Sequence, residues 1–371
     1  MMDTDQLDPS GLWIGRVERQ RIGPCVVTLR EGEVLDITSK EAPTVRDVME
    51  LDDAAAFVRA ASGERLDPSD GSFVWLAPCD LQSVKACGVT FARSMVERVI
   101  EEQAAGDPAR AEAIRARIGA RIGESLSSVV PGSETAKEVK AALIEEGLWS
   151  QYLEVGIGPD AEVFSKAQVL SSVGAGADVG LHPISTWNNP EPEVVLAVTS
   201  RGEIKGATLG NDVNLRDVER RSALLLSKAK DNNASCAIGP MIRLFDAGFT
   251  LDDVRTAELA LRVVGEDGYV LEGSSSMSQI SRDPADLVAQ TIGRHHQYPD
   301  GFMLFLGTLF APTQDRDTPG GGFTHKLGDV VTISNGKLGA LTNTVRLSTE
   351  CPEWTFGASH LMRNLAGRGL L

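Results

Sequence analysis

The amino-acid sequence predicts an α+β protein that is mainly β, with a small N-terminal unit and one helical insertion. Three observations carry this expectation. From about Leu153 onward, short apolar runs are separated by Gly, Pro, Asn and Asp, the texture of a β-rich core. Near the C-terminus, Gly328 to Ile333 and Leu338 to Val345 are strand formers on either side of Asn335-Gly336. Such a pair suits the positive-φ positions of a tight hairpin turn. Between residues 92 and 148, by contrast, Ala, Glu and Arg dominate at roughly helical spacing.

In chain order, the strand-like runs Val26 to Leu29 and Phe73 to Leu76 flank a helical candidate, Thr44 to Ala61. This predicts a small α/β unit over residues 1–80, with the main domain over 81–371. The insertion at about 92–148 divides into two helical pieces at Val129 to Ser133, where Pro131 and Gly132 interrupt the pattern.

Composition narrows the function classes. The chain has 371 residues, 42% apolar and 24% charged, enough to bury a sizeable core. Its net charge of -16 disfavours nucleic acid and anionic membranes as partners, since neither phosphate surface would gain counterion release. No apolar run approaches the roughly 18 residues of a membrane span, and the acidic N-terminus lacks a signal-peptide core. Cys25, Cys79, Cys87, Cys236 and Cys351 are scattered and odd in number, without a C-x-x-C pair. They read as reduced thiols of a cytoplasmic protein.

The chemistry concentrates at Trp187-Asn188-Asn189-Pro190-Glu191-Pro192-Glu193, followed by the apolar strand Val194 to Val198. Glu191 and Glu193 are two apart, so in extended chain they project to one face. A turn centred on Arg201-Gly202 would place Glu191 opposite Asp212 on the return strand, where Cβ atoms come to about 5 Å. Three carboxylates without a nearby His or Cys favour a hard cation, Mg²⁺ first, then Mn²⁺ or Ca²⁺. A solvated acidic strand end fits the same spacing, and spacing alone leaves both readings open.

At these residues the sequence resembles the fumarylacetoacetate hydrolase family. Glu191-Pro192-Glu193 and Gly210-Asn211-Asp212-Val213-Asn214-Leu215-Arg216-Asp217 match its E-x-E and G-N-D-V-x-x-R-D segments. Phe164-Ser165-Lys166, Lys230 to Pro240, Gly307-Thr308 and Gly328-Asp329-Val330-Val331 match further motifs in order. The resemblance implies a β-roll catalytic core with a helical lid insertion and Mg²⁺ on Glu191, Glu193 and Asp212. It also implies Lys230 in the same pocket, lined by Lys166 and Thr308, and a homodimer or homotetramer.

One departure refines the expectation. The family's hydrolases and oxaloacetate-type decarboxylases carry a His–Glu pair that activates water. Here the matching stretch is Thr90 to Glu97, with Ser94 in place of the histidine and Glu97 kept. A serine is no general base near neutral pH without help. This departure resembles the sugar-acid branch of the family, the 2-keto-3-deoxy-pentonate dehydratases, as do Glu146 to Glu154 and His296 to Gly301. It implies Mg²⁺-dependent dehydration of a 2-keto acid to a semialdehyde, in pentose catabolism without phosphorylation.

On that reading Lys230 binds a substrate oxygen, Glu97 serves as acid or base, and Ser94 contacts substrate. Arg316 and Asp317 either reach substrate hydroxyls or form a loop ion pair, and Arg216-Asp217 forms an ion pair supporting the metal loop. His295-His296, adjacent on an extended chain, point to opposite faces and cannot easily serve one site. The alternatives are an acylpyruvate hydrolase or oxaloacetate-type decarboxylase, and a catalytically silent binding protein of this fold.

Overall fold

Runs of β-branched and apolar residues punctuated by Gly, Asn and Asp form sixteen strands among the described residues. The structure is a computed structural model, which describes residues 4–91, 95, 99, 129–145, 147, 149–310, 314–317 and 322–371. The N-terminal strands are β1 (Trp13–Arg19), β2 (Gly23–Arg30), β3 (Glu33–Asp36), β4 (Glu64–Leu66) and β5 (Phe73–Leu76). Then come β6 (Ser83–Gly88), β7 (Glu162–Ala167), β8 (Asp178–Leu181), β9 (Pro192–Val198), β10 (Ile204–Asp212) and β11 (Cys236–Leu244). The last are β12 (Glu258–Val264), β13 (Val270–Ser276), β14 (Phe302–Phe305), β15 (Val330–Asn335) and β16 (Gly339–Leu347).

They build two sheets. The larger runs β4-β3-β2-β1-β11-β10-β9-β14-β6-β7, with β5 also on β1, and the smaller runs β13-β12-β15-β16-β8. Most pairs are antiparallel; β14 with β6 and β16 with β8 are parallel. Because β1 pairs with β11, the N-terminal strands continue the sheet of the main core.

The two faces of the larger sheet bury different residues, and β9 shows why its sequence is uninterruptedly apolar. Val194, Leu196 and Val198 join Leu209, Leu261, Ile333 and Leu341 in the core between the sheets. Val195 and Ala197 join Ile238, Met303 and Phe305 on the opposite face, covered by Val45, Val48 and Val58 of two short helices. Both faces of β9 are dry, so every side chain on it after Glu193 is apolar. Each such Val, Leu or Ile contributes about 1.5–3 kcal/mol of burial. A third cluster joins Met95 and Val99 to the helices Glu134–Glu145 and Gln151–Ile157.

The mainly β, α+β expectation holds, with two local corrections. The helix predicted over Thr44 to Ala61 is two, Val45–Glu50 and Ala54–Ala60. Asp53 caps the second by accepting from Ala56 N, which favours a restart over continuation. In the hairpin of β15 and β16, the positive-φ residue is Gly339 (φ +79°) and Asn335 pairs with it. The Asn335 side chain accepts from Lys337 N and Leu338 N, so it closes the turn as an acceptor. Of the predicted insertion, residues 92–94, 96–98, 100–128, 146 and 148 lie outside the described residues. Among the described residues no helix is long and apolar enough to cross a membrane, and all five cysteines are buried and free.

Candidate metal centre

The site begins with a hairpin. Thr199 N–H donates to Glu203 O, closing the turn about Arg201 alone, and Val198 pairs with Ile204. A bulge at Lys205 then shifts the ladder by one residue, so that Ala197 faces Gly206 and Pro192 faces Asn211. Asp212 N–H donates to Glu191 O at 3.1 Å. Glu191 therefore lies opposite Asp212 as predicted, but through a different turn corrected by the bulge.

Gly210 faces Glu193 across this ladder. A Cβ there would come within 2.3 Å of Phe305 and 2.6 Å of Val195, so the glycine lets the aromatic ring pack against the strand. Asn211 Oδ1 accepts from Glu191 N at 3.3 Å. Beyond the pair, Asn189 and Asn214 exchange backbone hydrogen bonds, each 3.0 Å long, which extends the hairpin past the carboxylates.

Glu191, Glu193 and Asp212 are all buried, and one oxygen from each lies within 4.8 Å of the others. The solvated strand end is thereby excluded. Two lysines face the three carboxylates. Lys230 Nζ, at the end of the helix Leu226–Lys230, lies 2.5 Å from Glu191 Oε2 and 3.0 Å from Asp212 Oδ2. Lys166 Nζ lies 2.7 Å from Asp212 Oδ1 and donates to Lys230 O at 2.6 Å and Val213 O at 3.2 Å. Glu193 Oε2 instead accepts from Gly307 N at 2.6 Å.

Burial, and then the charges of Asp212 and Glu191, push the Glu193 carboxyl well above the usual range. Burial opposes the Lys230 ammonium, but Asp212 and Glu191 outweigh it and raise its pKa above the ordinary lysine value. Two ammonium groups face three carboxyl groups out of water, and Glu193 is the one without a lysine against it, so a cation bound there would favour its ionised form. All-carboxylate oxygens with this spacing fit a hard divalent ion.

Strand β7 reaches the cluster at its C-terminal end, where Lys166 is the extra residue of a bulge against β6. Lys166 touches Asp212, and the Phe164 ring lies 5.7 Å from Lys230 Nζ. Two residues earlier on the same face, Glu162 lines a cavity of about 120 Å³ together with Gln151, Tyr152, Val155, Glu219 and Leu226. Gly88, paired with Glu162, makes room for it, because a Cβ would sit 2.0 Å from Glu162 Oε2.

The structure gathers Glu191, Glu193, Asp212, Lys230 and Lys166 into one cluster. Lys166 is wholly buried beneath the carboxylates rather than spread along an open wall. Thr308 follows Gly307, and its hydroxyl accepts from Phe310 N at 3.1 Å. Arg316 forms the loop ion pair: its guanidinium meets Asp329 at 2.6 and 2.7 Å and Asp267 at 3.1 Å, leaving a side chain 1% exposed. This corrects the substrate-hydroxyl role, since both terminal nitrogens are taken. Asp317 pairs with Lys326. His295 and His296 are exposed in a turn closed between Gly293 and His296. Asp217 accepts from Ser185 Oγ and Thr186 N, while Arg216 stacks on Trp187. Ser94 and Glu97 lie outside the described residues.

Sequence reasoning missed Glu162, Asn214, Glu219 and the Gly307 N–H. The two-residue spacing of Glu162 and Phe164 could have signalled the first. Asn214 and Gly307 lie inside matched motifs, but their contacts to Glu191 and Glu193 are tertiary, and nothing local marked Glu219.

Residues 171–346 match the model of the fumarylacetoacetate (FAA) hydrolase C-terminal family. A Haloferax volcanii protein named "Probable 2-keto-3-deoxyxylonate dehydratase" is 30% identical over 213 residues, 57% of this chain and 68% of that protein. A Saccharolobus solfataricus protein, "2-dehydro-3-deoxy-D-arabinonate dehydratase", is 30% identical over 188 residues, 50% of this chain and 58% of that one. Among solved structures, a 2-keto-3-deoxy-D-arabinonate dehydratase in its apo form aligns with a TM-score of 0.64 at 21% identity, covering 90% of this chain and 99% of that chain. The form complexed with magnesium and 2,5-dioxopentanoate aligns with a TM-score of 0.62 at 21% identity, with the same coverage.

Proposed function

The chain belongs to the fumarylacetoacetate hydrolase family, and on that premise we propose that it is a Mg²⁺-dependent hydro-lyase acting on 2-keto-3-deoxy-D-xylonate. The product is 2-oxoglutarate semialdehyde, also called 2,5-dioxopentanoate. The observation that carries this reading is the buried set Glu191, Glu193 and Asp212 with Lys230 against two of them. The relatives' names supply the substrate class. Once C2 is a ketone and C3 is deoxygenated, C4 is the last stereocentre. The keto-deoxy acids from D-xylonate and D-arabinonate are then one compound.

Glu191, Glu193 and Asp212 would hold the ion. When bound, Mg²⁺ supplies Lewis-acid polarisation of the 2-keto group, which acidifies the C3 protons. Lys230 keeps its ammonium at the cluster and binds the substrate's carboxylate or C2 oxygen. Gly307 N–H fixes Glu193, and Lys166 fixes Asp212, so neither carboxylate turns away.

In the cavity, Glu162 is assigned the proton transfers: it accepts a proton from C3 and returns one to the departing C4 hydroxyl, which leaves as water. The C3=C4 product then tautomerises, its C5 carbinol becoming the aldehyde. Glu97, named from the sequence, is the second candidate for this work.

The test is direct. Purified protein with 2-keto-3-deoxy-D-xylonate and Mg²⁺ should generate an aldehyde read by NAD(P)⁺-linked oxidation. Turnover of acylpyruvates or oxaloacetate with no signal from the sugar acid would sink the reading.

A further inference from the structure

Asn214 is fully buried, two residues beyond Asp212, and its backbone is locked to Asn189 in both directions. Its Nδ2 donates to Glu191 Oε1 at 3.0 Å and to Glu219 Oε2 at 2.8 Å. We propose that Asn214 is a positioning residue for the metal centre, clamping one oxygen of Glu191 so that the other stays aimed at the cation. This rests on the metal-site reading above.

The chemistry of the side chain fits the role. A carboxamide presents two N–H groups in one plane, enough to serve two acceptors at once. Glu191 uses its second oxygen, Oε2, toward Lys230, on the side of Asp212. A free carboxylate turns about its side-chain bonds; with Oε1 held, that freedom is removed before a cation arrives. Both partners are carboxylates, so the bonds are charge-assisted and stronger than neutral ones.

The amide's orientation is fixed by the same contacts. Turning it over would set Oδ1 against two carboxylates. In the observed orientation Oδ1 is buried without a hydrogen-bond partner among the described residues. The structure thus leaves one acceptor unsatisfied in order to keep both donors on the acids. Glu219 anchors the far end and also lines the cavity beside Glu162, so the clamp joins Glu191 to that cavity's wall.

The test measures Mn²⁺ binding to the full-length protein by calorimetry and electron paramagnetic resonance, with melting followed separately in metal-free buffer. Asn214→Ala should weaken Mn²⁺ binding about 10- to 100-fold, as loss of a supporting contact to a metal ligand does. The Mg²⁺ activation constant should rise in step, with kcat at saturating Mg²⁺ close to that of the wild type. Glu219→Gln, which weakens the anchor and keeps its shape, should raise the Mn²⁺ Kd by less. A folded Asn214→Ala protein that binds Mn²⁺ as tightly as wild type overturns the proposal. Should that variant not fold, unchanged affinity in Glu219→Gln overturns it. Wild-type protein that binds no Mn²⁺ overturns the metal site itself, a distinguishable result.

Discussion

Lys166 Nζ stands 2.7 Å from Asp212 Oδ1, with both side chains at 2% exposure or less, so the metal cluster rests on a cation with no access to water. Removing one partner of such a buried pair leaves the other uncompensated. Lys166→Met should therefore lose about 3–5 kcal/mol in denaturant unfolding without metal. Excess Mg²⁺ should restore part of it, because the ion supplies the missing charge. A Lys166→Met protein as stable as wild type in chelator would contradict this account of the cluster.

Metal binding should itself stabilise the fold. A ligand at a hundred-fold excess over its Kd adds about 2.7 kcal/mol. Melting of the wild type should rise with Mg²⁺ or Mn²⁺ and fall again with EDTA. Asp212→Ala and Glu193→Ala should show no such response, and a metal-dependent shift in either would place the ion elsewhere.

Glu162→Gln should separate chemistry from binding. Loss of a proton-transfer group costs about 10²–10⁴-fold in rate, while the Mn²⁺ Kd should stay unchanged because Glu162 is not among the three carboxylates. Gly88→Ala should reduce turnover in the same direction, since its Cβ would meet the Glu162 carboxylate. Full activity in Glu162→Gln would return the acid–base role to Glu97.

Gly210→Ala tests the packing behind the site. The added methyl meets Phe305 and Val195 in a full core, and overpacking of this kind costs about 1–3 kcal/mol. Phe305→Leu in the same chain should recover part of the loss. Full additivity of the two changes would argue against a direct clash.

The buried network at Asp329 sets an acid limit on stability. Burial raises the Asp329 carboxyl, but hydrogen bonds from Arg316, His325 and Lys326 N outweigh it and hold the value at about 2. Its contribution is complete above about pH 4, the unfolded value, and is lost as the pH falls through 2. His325 is depressed by burial, so the unfolded chain takes a proton first and stability also declines below about pH 6.5. Unfolding curves measured from pH 7 to 2 should show both steps. Asp329→Asn should remove the lower one, and an unchanged acid profile in that variant would refute the assignment.

Much of this was legible in the sequence because it depends on local pattern. The apolar run after Glu193 announced a strand dry on both faces, and the two-residue spacing put Glu191 and Glu193 on one side. The stretch Thr44 to Ala61 forms two helices where its pattern predicts one, because the Asp53 cap that restarts the second is only weakly marked in sequence. In the Asn335 hairpin the turn residue was correct but its role was not, since side-chain acceptance and positive φ favour the same residue types.

What the sequence by itself determined was the set of carboxylates, their strand spacing and the lysines offered to them. Tertiary structure decided the rest. The bulge at Lys205 brought Asp212 opposite Glu191, and burial turned an acidic strand end into a carboxylate cluster whose donor set fits a hard cation. Long-range contacts delivered Gly307 N–H to Glu193 and Asn214 to Glu191, and tied Arg316 to Asp329 instead of to a ligand. No pattern within one segment encodes such contacts, because each depends on where a distant strand is placed in the sheet.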